Sequence, residues 1–297
     1  MQSVLVVGGT RFIGRATVAE FREHGYDVTL CNRGHHPNPF AGDDAVELVE
    51  ADRREDEQLR AAAEAVEPDV VVDLVAYHPR DVRVATDIFA DSEAYVFVSS
   101  GAAYAADEIP KREGETPLKS CSESEAVDDS HETYGKRKAE GDRAVFAAAE
   151  EGVRAMSVRP TIVYGPHDYT ERLDYWLARV DSHDAVVVPG DGGSLHQLAY
   201  VEDVASALRV VAERGTAGEA YNVGDRDAQP LGDLLDLLAA ACETDVRQAY
   251  ASERELSPDL EPDDFPLYRD RPHLLATEKL HALGWEATPH RERSEEH

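Results

Sequence analysis

Short apolar runs rich in β-branched residues alternate with amphipathic stretches along the first half of the chain. The apolar runs predict strands at residues 3–7, 27–30, 46–49, 70–74 and 95–99. The stretches between them have helical spacing and predict helices at 12–24, 55–66 and 80–89. Nearly continuous apolar strands are expected where helices cover both faces of a parallel sheet. The alternation therefore predicts an α/β fold with a doubly wound parallel sheet.

The second half begins with a long predicted helix and then loses its regular pattern. This helix covers 130–150 and starts with capping-box spacing from Asp129 to Glu132. A sixth strand is predicted at 154–158. After it, glycines and prolines separate the two remaining predicted elements, which are helices at 201–213 and 230–241. We expect a main domain with a smaller C-terminal α+β lobe: the domain covers 1–165, with 195–225 returning to it, and the lobe covers 166–194 and 226–297.

A glycine-rich turn joins the first predicted strand to the first predicted helix. Glycines allow a sharp turn, and the exposed N–H groups at the positive end of the following helix attract phosphate. A turn placed between a strand and a helix in this way predicts a dinucleotide site. Its candidate cofactor residues are Gly8, Gly9, Thr10, Arg11, Phe12, Ile13 and Gly14.

The residues that follow the second and third strands bear on which dinucleotide binds. Asn32 and Arg33 follow the second strand, where the adenosine ribose would lie. An acidic residue there suits NAD(H), whereas the guanidinium of Arg33 suits a 2′-phosphate, with Arg11 as a second clamp. This favours NADP(H), with NAD(H) as the alternative. The competing interpretation is that both arginines pair with surface carboxylates. Asp52 and Arg53 are candidates for adenine contact or for a helix N-cap.

Tyr134 and Lys138 lie four residues apart at the start of the long helix, so their side chains share a face. A neighbouring ammonium and an oxidised nicotinamide favour the phenolate. We therefore predict that the pKa of Tyr134 is lowered and that Tyr134 acts as acid or base. Ser100 follows the fifth strand at the sheet edge where α/β proteins bind ligands, so its hydroxyl is placed to polarise a substrate oxygen. The alternatives are a half-buried surface tyrosine and a serine that caps a strand.

These motifs together resemble the extended short-chain dehydrogenase/reductase family, in its nucleotide-sugar epimerase and dehydratase group. The matching stretches are 8–14, 69–76, 98–104, 134–138, 159–166, 200–204, 221–224 and 283–285. The resemblance implies a Rossmann core, a C-terminal substrate lobe and catalytic Ser100, Tyr134 and Lys138. Besides the turn residues and Asn32, Arg33, Asp52 and Arg53, the implied cofactor residues are Leu74, Val75, Ala76, Ser99, Tyr134, Lys138, Pro160, Thr161 and Val163.

Two departures from the family pattern narrow the expected chemistry. Arg11 replaces the middle glycine of the turn, which is similar to an atypical branch that includes the chloroplast stem-loop-binding proteins. Gly101 and Ala102 follow Ser100 where 4,6-dehydratases carry Asp-Glu, so elimination of water is disfavoured. What remains is 4-epimerisation through a keto intermediate, or simple oxidation and reduction.

Five further side chains are candidates for substrate contact, because they follow strands or lie in the second lobe: His78, Tyr104, His167, His196 and Gln197. No metal site is expected, since His35 and His36 have no carboxylate or cysteine at ligand spacing and are interpreted as solvated.

The charge balance is strongly acidic, with 60 Asp and Glu against 30 Lys and Arg, a net charge of −30. Such a surface repels phosphate backbones, which argues against nucleic-acid binding. Five lysines against 25 arginines, with so many carboxylates, is typical of proteins from salt-accumulating halophiles. We expect a cytoplasmic protein without membrane attachment, and by analogy with the family a homodimer.

The sequence therefore predicts an NAD(P)-dependent oxidoreductase or epimerase that acts on a sugar or nucleotide-sugar. The alternative is a non-catalytic protein of the atypical branch that binds a cofactor or associates with RNA.

Overall fold

The computed structural model describes residues 2–256, 260–269 and 271–288, so parts of the predicted lobe segment 226–297 lie outside it. The strands are β1 Ser3–Val7, β2 Asp27–Asn32, β3 Val46–Glu50, β4 Val70–Asp73, β5 Ala94–Val98, β6 Ala155–Pro160, β7 Ile162–Tyr164, β8 Ala185–Pro189, β9 Leu195–His196, β10 Leu198–Tyr200, β11 Ala220–Val223, β12 Gln229–Pro230 and β13 Arg247–Ala251. The α-helices are α1 Phe12–Glu23, α2 Asp56–Val66, α3 Pro79–Ile88, α4 His131–Glu150, α5 Arg172–Ser182, α6 Val201–Arg214, α7 Leu231–Ala241 and α8 Glu278–His281.

The central sheet has seven parallel strands in the order β3-β2-β1-β4-β5-β6-β11. The chain order reverses between β1 and β4, and doubly wound sheets bind ligands at the carboxyl ends of the strands beside such a reversal. The six strands predicted from apolar runs are all present, with ends shifted by a residue or two. The predicted Rossmann-like α/β fold is confirmed.

Both faces of the sheet are buried, and β1 shows why its sequence is apolar throughout. Val4 and Val6 point into one core cluster, which α1 and α6 cover. Leu5 and Val7 point into the other, which includes residues of α2, α3 and α4. A strand buried on one face would alternate apolar with polar residues. Because both faces of β1 are buried, apolar residues are needed at every position. In the described part of the chain, no helix combines the length and apolar character of a membrane span.

A separate apolar cluster holds the second lobe together. Trp176 of α5 is fully buried at its centre and donates a hydrogen bond from Nε1 to the Pro266 carbonyl at 2.7 Å. The parallel pair β8 and β13 and helix α7 complete this cluster. The sequence did not predict α5, β8 or β13. Helix α5 starts at Glu171, which has a left-handed φ of 53° and no side-chain cap, so no start signal marks it.

The capping box predicted at the start of α4 is wrong. Ser130 is the N-cap, and its side chain does not cap the helix. Instead Thr133 Oγ1 donates to the carbonyls of Asp128 and Ser130, at 3.0 and 3.2 Å. The helix start is therefore held by a hydroxyl inside its first turn.

A buried polar network ties α4 to the edge of the sheet. Arg159 of β6 donates from Nε to Asp142 of α4 at 2.9 Å and from Nη1 to the Tyr104 hydroxyl at 2.9 Å. The Tyr104 hydroxyl donates to Asn222 Oδ1 of β11 at 2.9 Å. Because all four side chains are buried, each depends on its partners for compensation.

Removing one member of the Arg159–Asp142 pair leaves a buried charge without compensation. We expect Asp142→Ala to lower the free energy of unfolding by about 3–5 kcal/mol, measured by urea denaturation at fixed salt. Glu140→Ala is the matched control, since Glu140 pairs with Arg143 on the exposed side of the same helix. That control should lose at most about 1 kcal/mol. Equal losses in the two variants would contradict this assignment.

Candidate active site

A large cleft of about 1020 Å³ lies along the carboxyl ends of the central strands. Most of the sequence-predicted cofactor and catalytic residues line it: Gly8, Thr10, Arg11, Phe12, Ile13, Gly14, Asn32, Arg33, Asp52, Arg53, Leu74, Val75, Ser99, Ser100, Tyr134, Lys138, Pro160, Thr161 and Val163. Gly9 and Ala76, which were also predicted, are not among the lining residues. Residues from distant parts of the chain thus meet at the edge where the sheet order reverses.

The glycine turn packs too tightly for side chains at its two ends. Gly8 has a φ of 101°, and a Cβ there would lie 2.6 Å from Val75. A Cβ on Gly14 would lie 2.5 Å from the Gly8 carbonyl oxygen, so Gly14 lets α1 approach the turn. The first turn of α1 has no acidic residue, and its N-cap Arg11 makes no side-chain cap. The N–H groups at this helix end therefore remain available to an anion.

Three uncharged side chains in the cleft wall each have a buried polar atom without a hydrogen-bond partner within the described chain: Asn32 Nδ2, Ser99 Oγ and Thr161 Oγ1. Buried polar groups are normally paired, and unpaired ones in a cleft indicate a ligand that pairs with them. All three were predicted cofactor residues. Together with the open helix terminus, they fit a dinucleotide that runs from the turn toward β6.

The structure separates the roles of the charged residues after β2 and β3. Arg33 lines the cleft, is half exposed and lies 4.0 Å from Asp52, so the competing interpretation of a surface carboxylate pair is observed, and the 2′-phosphate clamp stays a prediction. Arg53 is buried and pairs with Asp73 and Asp81, which makes it a structural cation in the cleft wall. The N-cap of α2 is Glu55, so the prediction of Asp52 or Arg53 as that cap is wrong.

The side chain of Arg11 crosses the mouth of the cleft. Its guanidinium carbon lies 3.8 Å from the ring centroid of Tyr169, whose ring also meets Phe12 edge-on at 6.2 Å. Tyr169 comes from the segment before α5 and was missed in the sequence, because no motif marks it. The turn and the second lobe thus touch through a cation–π contact.

Tyr134, Ser100 and Lys138 meet at the other end of the cleft. The hydroxyls of Tyr134 and Ser100 are hydrogen-bonded. Ser100 Oγ also accepts from the Ala102 N–H at 3.1 Å, which fixes its rotamer. Lys138 Nζ lies 5.8 Å from the Tyr134 ring centroid and donates to the carbonyls of Ala76 and Val98 at 2.9 and 2.8 Å.

Burial is the largest influence on the pKa values of Tyr134 and Lys138. It raises the pKa of Tyr134, against the lowering effects of the Ser100 hydrogen bond and of nearby Arg172. The lowered tyrosine pKa expected from sequence is therefore wrong for the protein by itself. Burial also lowers the pKa of Lys138 to about 8, although the carboxylates of Asp73 and Asp142 oppose that shift. Both groups thus favour their neutral forms more than they would in water.

None of the five predicted substrate residues lines the large cleft. His78 caps α3 and binds Asp129 at 2.9 Å, and Tyr104 belongs to the buried network around Arg159. His167 is exposed, with a left-handed φ of 67°. His196 and Gln197 line a smaller cavity that opens beside Thr161. Gln197 is already bound to backbone groups of Asp225 and Leu275, whereas both ring nitrogens of His196 lack a partner among the described residues.

Sequence reasoning missed several side chains that line the cleft: His35, His36, Arg54, Lys119, Arg172, Arg269 and His273. His35 and His36 were interpreted as solvated, and they are exposed residues of the lining near Arg33. The other five carry no motif, and only the fold brings them beside Ser100, Tyr134 or the ribose end. Four of these five, all except His273, carry a positive charge, and that charge was the signal available in advance.

Comparisons with known proteins identify relatives in sequence and in structure. Chloroplast stem-loop binding protein of 41 kDa b from Arabidopsis thaliana is 27% identical over 304 residues, with 96% of this chain and 75% of that protein covered. A structure of dTDP-glucose 4,6-dehydratase from Bacillus anthracis in complex with NAD superposes with a TM-score of 0.78 at 19% identity, covering 99% and 94% of the two chains. UDP-glucose 4-epimerase from Thermotoga maritima with UDP-glucose gives 0.76 at 23% identity, covering 99% and 96%.

At these identities the two structures show a shared fold. The family model described as NAD dependent epimerase/dehydratase matches residues 4–224, a span that runs from β1 through β11 and includes the glycine turn and the Tyr134–Lys138 pair. The match covers well over half of the sequence, and the chain belongs to the NAD-dependent epimerase/dehydratase family.

Proposed function

We propose that this protein is an NAD(P)-dependent oxidoreductase or epimerase that acts on a sugar or nucleotide-sugar. The observation that carries the proposal is that Ser100, Tyr134 and Lys138 line the same cleft as the glycine turn. That arrangement supports proton transfer at one end of a site whose other end would accept a pyrophosphate. The epimerase and dehydratase names of the structural relatives support the substrate class.

Each of the three side chains has a distinct task in the proposed reaction. The Tyr134 hydroxyl exchanges a proton with the substrate oxygen, and the Ser100 hydroxyl hydrogen-bonds that oxygen and stabilises charge on it. The Lys138 ammonium stabilises the Tyr134 phenolate. A bound nicotinamide dinucleotide supplies hydride acceptance and donation. Because burial holds Tyr134 protonated in the protein alone, binding of a positively charged nicotinamide would favour proton loss only in the complex.

The space beside Ser100 supports epimerisation or simple oxidation over 4,6-dehydration. A Cβ on Gly101 would lie 2.9 Å from His273 Nε2 and 3.0 Å from Leu275 Cδ1. An acidic side chain at 101, as in the dehydratases, would therefore have to displace His273. Ala102 carries no acid either, so the wall nearest Ser100 offers no carboxyl group for elimination of water.

The adenosine end of the cleft supports NADP(H) over NAD(H). No acidic residue follows β2 where it would accept the 2′-hydroxyl, and Arg33 stands there with its guanidinium half exposed. Arg54 and Arg11 also line the cleft. A 2′-phosphate placed among these guanidinium groups would form charge-assisted hydrogen bonds.

A second candidate is association with RNA, which the similarity to the chloroplast stem-loop binding protein supports. The net charge of −30 opposes it, because a phosphate backbone would approach an acidic surface. The intact Ser100, Tyr134 and Lys138 set, which RNA binding does not need, favours catalysis.

Tyr134→Phe removes the exchangeable proton and keeps the ring. We expect kcat to fall at least about 100-fold, because general acid–base catalysis contributes on that order or more. Turnover is followed as a change in reduced-cofactor absorbance with the sugar or nucleotide-sugar that gives the fastest wild-type rate, and cofactor affinity should stay within about twofold. Tyr26→Phe, which removes a surface hydroxyl near Glu213, is the matched control and should leave kcat unchanged. Full activity in Tyr134→Phe would disprove the mechanism.

Arg33→Asp reverses the charge at the proposed 2′-phosphate site. We expect the dissociation constant of NADP(H), measured by calorimetry, to rise about 10- to 100-fold, the range of a lost charge-assisted hydrogen bond, while that of NAD(H) changes little. Arg60→Asp is the control, since it makes the same charge change at an exposed pair with Asp87. Equal NADP(H) affinity in the wild type and Arg33→Asp would refute the clamp.

The RNA alternative has its own measurement. We expect stem-loop RNA to bind the wild-type protein no more tightly than about 10⁻⁴–10⁻⁶ M, the range of non-specific binding, in a filter assay at physiological salt. Tight binding, combined with no turnover of any sugar or nucleotide-sugar tested, would reverse the order of the two candidates.

A further inference from the structure

Lys119 stands apart from the other four lysines of the chain. Lys136 and Lys279 form ion pairs with Glu125 and Glu219, and Lys111 and Lys138 donate to backbone carbonyls. The ammonium of Lys119 has no hydrogen bond or ion pair within residues 2–256, 260–269 and 271–288. In a chain with 60 acidic residues, a cation without a carboxylate is unexpected.

The fold directs this ammonium into the cleft beside the proposed catalytic groups. Lys119 lines the cleft, and its Nζ lies 3.0 Å from the position that a Cβ on Gly135 would occupy. Gly135 follows Tyr134 on α4, and its missing side chain makes room for the ammonium. The Lys119 backbone is anchored independently, because its N–H donates to Ala103 and its carbonyl accepts from Arg143, both at 2.8 Å. The side chain is not needed to hold the segment.

The surrounding side chains make this end of the cleft positive. Arg172 and Arg269 line it with Lys119, and Glu132 is the one acidic lining residue there within the described chain. His273 is half-buried in the same lining, and its pKa is lowered to about 3 by desolvation and by nearby Arg269, Lys111 and Lys119. Burial and the neighbouring cations Lys136 and Arg269 likewise lower the pKa of Lys119.

An ammonium without a counter-ion among the described residues, with the Arg172 guanidinium in the same lining, attracts an anion that enters the cleft. The anion would lie beside Gly135, the residue that follows Tyr134 on α4, in the same lining as the Tyr134 hydroxyl that exchanges a proton with the reacting oxygen. Its charge must therefore sit on the part of the substrate that reacts. A diphosphate far from the reacting carbon would not meet this requirement.

Resting on the proposed function, we infer that Lys119 binds an oxyanion carried by the sugar itself, either a carboxylate or a phosphate close to the reacting hydroxyl. Lys119 thereby becomes a specificity-determining residue of the site, and the substrate class narrows to sugar acids or sugar phosphates.

Binding measurements on the cofactor-saturated protein test this inference, because saturation occupies the competing anion site at the glycine turn. The probes are D-glucuronate, D-glucose 6-phosphate and neutral D-glucose, titrated by calorimetry at constant ionic strength. We expect one or both anionic sugars to bind at least 10-fold more tightly than glucose. Lys119→Gln should remove that difference, and Lys119→Arg should retain it. Stronger binding of glucuronate assigns a carboxylate, and stronger binding of the phosphate assigns a phosphate.

Lys279→Gln is the matched control, because it removes the same charge from an ion pair outside the cleft lining. It should leave the preference for anionic sugars unchanged. Equal affinity for all three probes in the wild type would overturn the inference, as would a preference that survives in Lys119→Gln. A loss of UDP-glucose affinity in Lys119→Gln, without an effect on the anionic sugars, would place the bound charge on a diphosphate and also overturn it.

Chemical labelling gives a readout that needs neither turnover nor a known substrate. With only five lysines, trinitrobenzenesulfonate modification can be followed at each site by peptide mass spectrometry. We expect the preferred anionic sugar to slow labelling of Lys119 and glucose to leave it unchanged. Labelling of Lys119 that neither sugar slows would count against the pocket. If the proposed hydride transfer failed but this protection held, the anion site would stand without the assigned reaction.

Discussion

A buried ammonium fixes the geometry on which the rest of the site depends. Lys138 reaches from α4 to the carbonyl of Ala76 after β4 and to that of Val98 at the end of β5. These two hydrogen bonds hold one helix against two neighbouring strand ends. They set the rotation of α4 about its axis, and that rotation aims Tyr134, one turn earlier, toward Ser100. Burying a cation is costly, and the carbonyls, together with the ring of Phe97 at 4.8 Å, offset the cost.

The glycine turn shows how the fold accommodates an arginine where the family has a glycine. Arg11 has an extended backbone, with a φ of −132°, so its position does not need glycine. Its side chain leaves the turn and stacks on Tyr169, which keeps the helix end uncapped. The unusual backbone falls on the next residue, Phe12, with a φ of 33°. The tight contacts are at Gly8, Gly9 and Gly14, and these are the positions where the glycines are retained.

The sequence predicted what is local or periodic, and it failed where tertiary contacts decide. Strands buried on both faces give continuous apolar runs, and a Tyr-x-x-x-Lys spacing fixes a shared helix face, so both were readable. The structural role of Arg53 could not be predicted from the sequence, because Asp73 and Asp81 approach it only after β4 and α3 have packed. His78 and Tyr104 failed as substrate candidates for the same reason. His273 reaches Gly101 from the C-terminal lobe, and no spacing rule connects residues so far apart.

The cleft lining is positively charged although the chain as a whole is negatively charged. Salt changes how strongly each of these two charges acts on an anionic ligand. The chain carries a net charge of −30. Among the described residues, the cleft lining has two acidic side chains, Asp52 and Glu132, and eight cationic ones. The cationic side chains are Arg11, Arg33, Arg53, Arg54, Lys119, Lys138, Arg172 and Arg269. At low salt the surface field repels every anion before it reaches the cleft. At about 1 M salt the screening length falls to about 3 Å, which removes the long-range repulsion but not a direct contact inside the cleft. In concentrated salt, selection among anionic ligands therefore depends on side chains that touch them, such as Arg33 at one end and Lys119 at the other.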